Sequence, residues 1–324
     1  MKAIVYTKYG TADQLQLQEA DVPFPKDDEV LIKGHATCIN SWDYDSLLGN
    51  SILVRLIGGL RAPRHQILGC DMAGTVDAIG KKVTLWKPGD EVFGDNSGGG
   101  WGGFAEYACM KETMLARKPT GITFEEASTI PQAGLLALQG LRDVGKIKAG
   151  QKVLINGAGG GVGAFAIQLA KSHDAEVTGV DRASKFEMMR SLGADHVIDY
   201  QQEDFTRNGK GYDLILDNIA TRSMFEYKRA LNPGGIFVMT GGTTARILEM
   251  ALLGKLISAT GNRKIRLVGL DYSPKDMAHL AGMMEAGTLK PVIDKCFPLA
   301  ETPEAFRYFG EGNYQGKVVI KVMQ

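Results

Sequence analysis

A glycine-rich loop between a predicted strand and a predicted helix constrains the fold of this chain more than any other feature. The loop runs from Gly157 to Gly163, after the apolar strand Lys152–Asn156 and before the helix Val162–Ser172. At such a turn the first N–H groups of the helix are free to bind a pyrophosphate, and glycine lets the phosphate approach the backbone. The pattern therefore predicts a dinucleotide site at Gly157, Ala158, Gly160, Gly161, Val162 and Gly163.

The spacing of this loop departs from a strict GxGxxG pattern. Counting from Gly157, the last position is Val162, whereas Ala158, Gly160 and Gly163 satisfy the spacing with alanine in first place. A run of glycines alone would be weak evidence for a nucleotide site. The strand before the loop, the helix after it and an acidic residue downstream supply the context that the motif requires.

Compact apolar strands alternate with helical segments around this loop. The predicted strands are Lys152–Asn156, Glu176–Val180, His196–Asp199, Asp213–Asp217, Ile236–Thr240 and Lys264–Leu270. Most are separated by helical stretches such as Val162–Ser172, Lys185–Leu192 and Ser223–Leu231. This alternation is typical of a parallel sheet covered by helices on both faces.

The first 120 residues have a different pattern, in which short apolar runs alternate with turn residues. Such runs, bounded by glycine, proline and aspartate, predict the strands of a sandwich or barrel. The tail beyond Pro274 ends in the strand Lys317–Val322 and resembles the first part of the chain. We therefore predict one domain from residues 1–120 and 272–324 and another from residues 121–271.

Length and composition exclude several classes of function. The 324 residues correspond to about two domains. The 37 basic and 37 acidic residues balance, so we expect no nucleic-acid partner, and no apolar stretch is long enough to predict a membrane span. The four cysteines lack metal-binding spacing. The first residues predict a strand rather than a secretion signal, so we expect a cytoplasmic location.

The end of the second predicted strand of the parallel sheet bears on which nucleotide binds. Asp181 lies 18 residues after Gly163, where a carboxylate accepts from the ribose 2′-hydroxyl and favours NAD. Arg182, Ser184 and Lys185 follow at once, and their cations suit the 2′-phosphate of NADP. An alternative is that Arg182 and Lys185 are solvated charges at a helix start. These residues alone leave NAD and NADP open.

Motifs along nearly the whole chain resemble those of the medium-chain dehydrogenase/reductase superfamily, in its zinc-free quinone oxidoreductase branch. They are Leu68–Val76 with Gly80, Lys87–Val92, Gly103–Tyr107, Ser191–Tyr200, Lys290–Asp294 and Gly316–Ile320. The resemblance implies an α/β fold with a Rossmann doubly wound parallel sheet and a GroES-like β-barrel domain. It also implies a homodimer.

The resemblance bears on metal binding as well. Zinc-containing members hold the metal with two cysteines and a histidine, and the matching positions carry Asn40, Cys70 and Gln132. One thiol and two amides are a poor ligand set for Zn²⁺. We therefore expect no zinc, and a zinc alcohol dehydrogenase is the disfavoured alternative.

Chemistry without a Lewis acid favours conjugated acceptors. A hydride added to a quinone or an α,β-unsaturated carbonyl leaves a delocalised charge that a few hydrogen-bond donors can stabilise. The resemblance implies the same activities and an Asn-x-x-Asp pair, matched by Asn40 and Asp43, beside the nicotinamide. Capping of the loop is the alternative role for this pair.

Tyr44 is a third predicted catalytic residue. Many relatives carry their tyrosine at the position of Asp45. Core packing is the alternative role for Tyr44.

The remaining predicted contacts concern the cofactor. The resemblance pairs Lys185 with Tyr200 around the adenosine phosphate, which favours NADP(H), with NAD(H) possible. Asn218, Gly241 and Gly242 follow strands at the carboxyl edge of the sheet, where ligands bind in doubly wound folds. Lys317 matches a basic residue that closes over the cofactor, and a solvated lysine is its alternative. The competing hypothesis for the whole protein is a catalytically weak NADPH-binding redox sensor or structural protein.

Two further segments are predicted to shape the substrate pocket. Ile52–Pro63 forms an apolar loop with basic flanks ahead of Gly69. The stretch Arg246–Ala259 is apolar enough for a pocket lid or a dimer contact, and a core-facing helix is the alternative.

Overall fold

The computed structural model describes residues 1–259 and 261–323. Contacts divide the chain into two units, which we call the first unit (Met1–Gln132 with Tyr272–Gln324) and the second unit (Ala133–Asp271). The described residues form fifteen strands and ten α-helices, besides short 3₁₀ and π turns. Within these ranges no helix is both long and apolar enough to cross a membrane.

The elements follow in chain order. The first are β1 (Lys2–Val5), β2 (Gln16–Glu19), β3 (Glu29–Ile39), α1 (Ser41–Leu48), α2 (Ile52–Gly58), β4 (Asp71–Ile79), β5 (Glu91–Asp95), β6 (Tyr107–Lys111), β7 (Leu115–Arg117), α3 (Phe124–Ser128) and α4 (Pro131–Gln139). Next come β8 (Lys152–Asn156), α5 (Gly161–Lys171), β9 (Glu176–Asp181), α6 (Phe186–Ser191), β10 (His196–Asp199), β11 (Tyr212–Asp217), α7 (Met224–Ala230), β12 (Leu231–Met239), α8 (Thr244–Ala259) and β13 (Lys264–Leu267). The last are α9 (Pro274–Glu285), β14 (Ile293–Pro298), α10 (Thr302–Glu311) and β15 (Lys317–Lys321).

One parallel sheet forms the centre of the second unit. Its strand order is β10-β9-β8-β11-β12-β13, and all neighbouring strands are parallel. The order of winding reverses between β8 and β11, and ligands bind beyond the carboxyl ends of the strands at such a reversal. The predicted doubly wound α/β sheet is thus confirmed.

Apolar runs explain why these strands lie in the middle of the sheet. Val153, Leu154 and Ile155 of β8 are fully buried, as are the apolar residues of β11. A central parallel strand is covered on both faces, so it is apolar throughout rather than at alternate positions. Tyr227 and Phe237 stack with ring centroids 4.2 Å apart in the core beside β11 and β12.

The long strand β3 organises the sheet of the first unit. It pairs in antiparallel fashion with β4, β6 and β15. Because β15 lies near the end of the chain, the carboxyl-terminal segment pairs with the amino-terminal one, with Val318 opposite Ile39. This pairing places Lys317 beside the point where β3 ends and α1 begins.

The contact-based division differs from the predicted domains at one boundary. Residues 121–132 belong to the first unit, whereas the prediction placed them with the second. Helix α3 begins in a capping box between Thr123 and Glu126 and packs on β3 and β4. The Cys38 thiol also donates to the Ser128 carbonyl at 3.1 Å. The hydrophobic pattern of the sequence changes at the predicted boundary, but residues 121–132 still pack on the first unit. The predicted boundary therefore precedes the contact-based one.

The two segments predicted to shape a pocket are both helical. The expected loop Ile52–Pro63 contains α2, whose start is capped by Ser51, with Oγ accepting from the Leu53 N–H at 3.2 Å. Arg246–Ala259 lies within α8, which exposes several leucines. Their role in a pocket stays a prediction.

Candidate functional site

The glycine loop of the second unit ends in a helix start with free donors. Gly160 is the N-cap of α5, and no described residue accepts from the N–H groups of Gly161, Val162 and Gly163. The dipole of α5 adds positive potential at the same place. The loop itself is held by the N–H groups of Gly157 and Ala158, which both donate to the Val180 carbonyl. Together these groups form a cradle of N–H donors that suits an anion.

Two glycines of the loop are required by its geometry. Gly157 adopts a φ of 75°, in the left-handed region that other residues avoid. A Cβ on Gly163 would lie 2.3 Å from the Gly157 carbonyl oxygen and 2.5 Å from the Ala158 Cα, so only glycine lets α5 pack this close to the loop. By contrast, a Cβ on Gly160 would meet nothing in the fold closer than 3.6 Å. The residues present therefore fit a bound diphosphate.

Asp181 lies against the loop rather than away from it. Its Oδ2 accepts from the Gly159 N–H at 2.9 Å, and its Oδ1 accepts from the Arg182 N–H at 2.8 Å. The buried ammonium of Lys185 lies 3.5 Å from the same carboxylate. Arg182 Nε donates to the Tyr200 hydroxyl at 3.0 Å. The structure thus brings together four of the predicted adenosine contacts, with the carboxylate charge already paired. Ser184 lies in the same turn, between Arg182 and Lys185.

The carboxyl ends of β8, β11 and β12 meet at the predicted edge of the sheet. Asn218 Nδ2 donates to the Asn156 carbonyl at 3.0 Å, and Asn218 Oδ1 accepts from Thr240 Oγ1 at 2.6 Å. A Cβ on Gly241 would lie 2.8 Å from the Asn218 carbonyl oxygen, and one on Gly242 would lie 2.7 Å from an alanine methyl group. These residues keep the strand ends close together and free of bulk.

A buried polar cluster in the first unit contains Asn40. Asn40 Nδ2 donates to Asp71 Oδ2 at 3.0 Å, and Asn40 Oδ1 accepts from Lys317 Nζ at 2.5 Å. The ammonium lies 3.8 Å from the same Asp71 oxygen. Asp71 also accepts from the Gln132 N–H and from the Cys38 thiol. Three chain segments far apart in sequence therefore meet at one amide group. We call Asn40, Asp71 and Lys317 the amide cluster.

Asp43, predicted as a catalytic partner of Asn40, is engaged with the backbone. Its Oδ2 accepts from the Asn40 N–H at 2.8 Å, and its Oδ1 accepts from the N–H groups of Gly69 and Cys70 at 3.0 and 3.1 Å. The residue is fully buried. These are the contacts of the capping role that was the alternative reading, and its catalytic role stays a prediction.

Tyr44 is not part of the amide cluster. Its ring packs against Phe306 and Phe309 of α10, with ring centroids 6.4 and 5.6 Å away. Its hydroxyl lies so close to Gly310 that a Cβ there would come within 2.4 Å of the oxygen. The described contacts are those of core packing, and a role in proton transfer stays a prediction.

Lys317 also differs from its expected surroundings. The residue was predicted to contact the cofactor, yet its ammonium is buried in the first unit and contacts Asn40 and Asp71. The cofactor role stays a prediction.

The sequence analysis missed Asp71 and Asp95 as members of this region. They face each other across the β4–β5 ladder and are both fully buried. Carboxylates at the ends of apolar strands are the signal that could have found them, because a buried charge is costly unless it is paired. Burial raises the pKa of Asp71 to about 7 and also raises the pKa of Asp95.

Comparisons with known proteins agree with this architecture. The family model described as "Alcohol dehydrogenase GroES-like domain" matches residues 26–120, and that described as "Zinc-binding dehydrogenase" matches residues 192–320. The chloroplastic quinone-oxidoreductase QR1 of Triphysaria versicolor is 33% identical over 334 residues, covering 99% of this chain and 98% of that protein. This chain belongs to the medium-chain dehydrogenase/reductase superfamily, in its quinone oxidoreductase-like branch.

Two other relatives of this medium-chain dehydrogenase/reductase are informative. The chloroplastic NADPH-dependent alkenal/one oxidoreductase of Arabidopsis thaliana is 32% identical over 332 residues, covering 99% of this chain and 79% of that protein. The solved structure of the quinone oxidoreductase from Coxiella burnetii has a TM-score of 0.89 and 27% identity, covering 100% of this chain and 99% of that one.

One family description names zinc, but the residues at the matching ligand positions of this medium-chain dehydrogenase/reductase are unsuited to bind it. Asn40 Oδ1, at the first ligand position, already accepts from the Lys317 ammonium, which would repel a dication. Burial and nearby carboxylates raise the pKa of the Cys70 thiol well above its ordinary value, so the thiolate that zinc requires is disfavoured. Within residues 1–259 and 261–323, no three acidic, cysteine or histidine side chains are grouped to hold a metal. We derive no step through zinc.

The buried carboxylates predict how the stability of this medium-chain dehydrogenase/reductase depends on pH. Burial raises the pKa of Asp71 from 3.8 to about 7 and that of Asp43 to about 6. The folded state therefore holds protons that the unfolded chain loses near pH 4, and the free energy of unfolding falls as the pH rises toward 7. We expect Asp71→Asn to flatten this decline in urea unfolding measured from pH 5 to pH 8.

The control for this experiment is Asp21→Asn, which removes an exposed carboxylate from the same unit. It should leave the pH dependence of unfolding unchanged. A decline of equal slope in wild type and Asp71→Asn would show that Asp71 is ionised in the folded protein throughout this range.

Proposed function

We propose that this protein is an NAD(P)H-dependent, zinc-independent oxidoreductase that reduces quinones or α,β-unsaturated carbonyl compounds. The observation that carries the proposal is the free helix start of α5 after β8, in a chain whose relatives are named for quinone and alkenal/one reduction. A helix start without side chains is a diphosphate site. The chain therefore pairs nucleotide-binding geometry with the sequence of a conjugated-carbonyl reductase.

The residues of the chain have separable tasks in this proposal. The N–H groups of Gly161, Val162 and Gly163 bind the diphosphate of the nucleotide. Asn218 and the glycines Gly241 and Gly242 leave the sheet edge open for the rest of the cofactor. When bound, the nicotinamide supplies a hydride. The amide of Asn40 offers an N–H group to the oxygen of the acceptor, where negative charge develops.

The residues that follow Asp181 favour NADP(H) over NAD(H) in this proposal. The carboxylate that would repel a 2′-phosphate is paired with Lys185 and two N–H groups, and Arg182 lies beside Tyr200. A guanidinium matches a phosphate in charge and geometry. We expect Arg182→Ala to raise the Kd for NADPH by about tenfold, equal to about 1.4 kcal/mol, and to change the Kd for NADH by less than about twofold.

Arg190→Ala is the matched control, because it removes an exposed arginine from the neighbouring helix α6. It should leave both dissociation constants, measured by fluorescence titration, near their wild-type values. If Arg182→Ala weakened NADH and NADPH binding equally, the guanidinium would not be a 2′-phosphate contact.

The proposed function is tested by an acceptor screen. The purified protein is mixed with NADPH or NADH and, in separate reactions, a naphthoquinone, an acyclic enone, an alkenal and a saturated ketone. We expect oxidation of the nucleotide with a conjugated acceptor and none with the saturated ketone, unchanged after dialysis against a chelator. Tight nucleotide binding without turnover of any acceptor would contradict the proposal and favour the redox-sensor hypothesis.

The predicted homodimer has support on the surface of the second unit. Leu252 and Leu256 of α8 are 77% and 62% exposed, and Leu267 of β13 lies on the edge strand of the sheet. An apolar helix face beside an open sheet edge favours association with a second copy. Sedimentation equilibrium should give twice the monomer mass for the wild type and a smaller mass for Leu252→Glu. A wild-type monomer would exclude the dimer.

The cytoplasmic location also stays a prediction. Two of the relatives described above are chloroplastic proteins by name. Fluorescence microscopy of the tagged full-length protein in its own host would decide the compartment.

A further inference from the structure

The amide of Asn40 has partners of opposite kinds at its two ends. Lys317 Nζ donates to Asn40 Oδ1 at 2.5 Å, and Asn40 Nδ2 donates to Asp71 Oδ2 at 3.0 Å. An ammonium can only donate, and above pH 7, where Asp71 is ionised, its carboxylate can only accept. The reversed amide would place its NH₂ group against the ammonium and its oxygen against the carboxylate. The cluster therefore permits a single orientation of this amide.

The two charged partners are themselves fixed. Asp71 Oδ1 accepts from the Gln132 N–H at 3.1 Å, and Asp71 Oδ2 accepts from the Cys38 thiol at 3.3 Å. The Lys317 N–H donates to the Val292 carbonyl at 2.9 Å, at the start of β15. Asp71 and Lys317 are nearly or fully buried. Burying a pair of charges contributes little to stability compared with an apolar pair, whereas removing one partner leaves an unpaired buried charge.

The orientation leaves one donor available. Nδ2 of Asn40 carries two hydrogens, one of which is donated to Asp71, and no described residue accepts the other. Asn40 as a whole is 6% exposed. The ammonium on Oδ1 withdraws electron density from the amide and strengthens its N–H groups as donors.

We propose that Lys317 and Asp71 are positioning residues, which hold Asn40 so that its second N–H group donates to the carbonyl oxygen of the acceptor. This inference rests on the proposed function, because it concerns the oxygen that gains charge during reduction of a quinone or enone. The acceptor class that it selects is one with a carbonyl conjugated to the carbon that takes the hydride. Lys317 acts through Asn40 and does not itself transfer a proton.

The kinetic test uses single and double variants. Asn40→Ala should lower kcat by about 100-fold, the cost of one oxyanion donor. Lys317→Met should lower kcat by about tenfold or more, because the amide loses its alignment. The Kd for the nucleotide should change by less than about twofold. The double variant should be no slower than Asn40→Ala, because Lys317 acts only through that amide.

Two further variants separate positioning from structure. Lys317→Arg keeps a donor at the same place and should recover part of kcat. Lys321→Met removes an exposed lysine from the same strand, where it pairs with Glu125, and should leave kcat unchanged. Thermal unfolding of each variant identifies any loss of folded protein. Multiplicative losses in the double variant, or a Lys317→Met effect confined to nucleotide affinity, would overturn the inference.

A spectroscopic measurement tests the inference without turnover. The infrared carbonyl band of ¹³C-labelled 1,4-naphthoquinone is recorded with the wild-type protein and the oxidised nucleotide. A downshift in the wild type that is lost in Asn40→Ala and reduced in Lys317→Met would support it. An unshifted band in the wild type would overturn it. If the wild type showed the shift yet turned over no acceptor, the proposed function would fail while the positioning role stood.

Discussion

Replacing Gly160 with valine should abolish tight nucleotide binding while leaving the fold intact. Gly160 is the N-cap of α5, with φ −91° and ψ −177°, an extended conformation open to any residue. A side chain at the N-cap reaches the second and third N–H groups of the helix, which is how capping residues work. Valine would cover these donors with methyl groups, which cannot accept a hydrogen bond and which keep a phosphate away.

The expected effect is large because the lost bonds are charge-assisted. Two hydrogen bonds to a phosphate, at about 1.5–3 kcal/mol each, correspond to a loss of about 100-fold or more in affinity. The loss of stability should be only about 1 kcal/mol, because valine is a poorer cap than glycine. Isothermal titration with NADPH and urea unfolding measure the two effects separately.

Gly163→Ala is the comparison variant for this experiment. Its Cβ would overlap the Gly157 carbonyl oxygen, so it should weaken both the nucleotide affinity and the fold. Gly160→Val therefore reports the effect of blocking the phosphate site, and Gly163→Ala reports the effect of displacing α5. Wild-type affinity in Gly160→Val would show that the diphosphate is not bound at the start of α5.

The second unit could be predicted from the sequence because its signals are local. The strands β8 and β10 begin and end where the apolar runs do, and α5 begins one residue from the predicted start. A continuous apolar run indicates a parallel strand that is buried on both faces, and a glycine indicates a tight turn.

The amide cluster could be predicted only in part, because its members come from distant segments. Asn40 and Asp43 share one turn and were found together, whereas Asp71, Gln132 and Lys317 reach Asn40 through the pairing of β3 with β4 and β15. No local pattern encodes these pairings. In the same way, α10 was not predicted, although its phenylalanines fill the core against Tyr44.

The removal of the Asp43 carboxylate should destabilise the first unit more than it impairs chemistry. Asp43 accepts three backbone N–H groups, from Asn40, Gly69 and Cys70, in a fully buried place. Asp43→Ala leaves three buried donors without acceptors. Each such donor costs about 1–3 kcal/mol, so we expect a loss of about 3–5 kcal/mol, at the upper end of single substitutions. Urea unfolding at pH 7.5 measures the change.

Asp43→Asn separates the structural role from a catalytic one. The asparagine oxygen can replace one end of the carboxylate, so part of the stability should return while the ability to relay a proton is lost. If Asp43 serves only to hold the loop, kcat per folded molecule in Asp43→Asn should stay within about threefold of the wild type, a change of less than about 1 kcal/mol in the activation free energy. A kcat that falls by about 100-fold in a variant that remains folded would instead establish Asp43 as a participant in proton transfer.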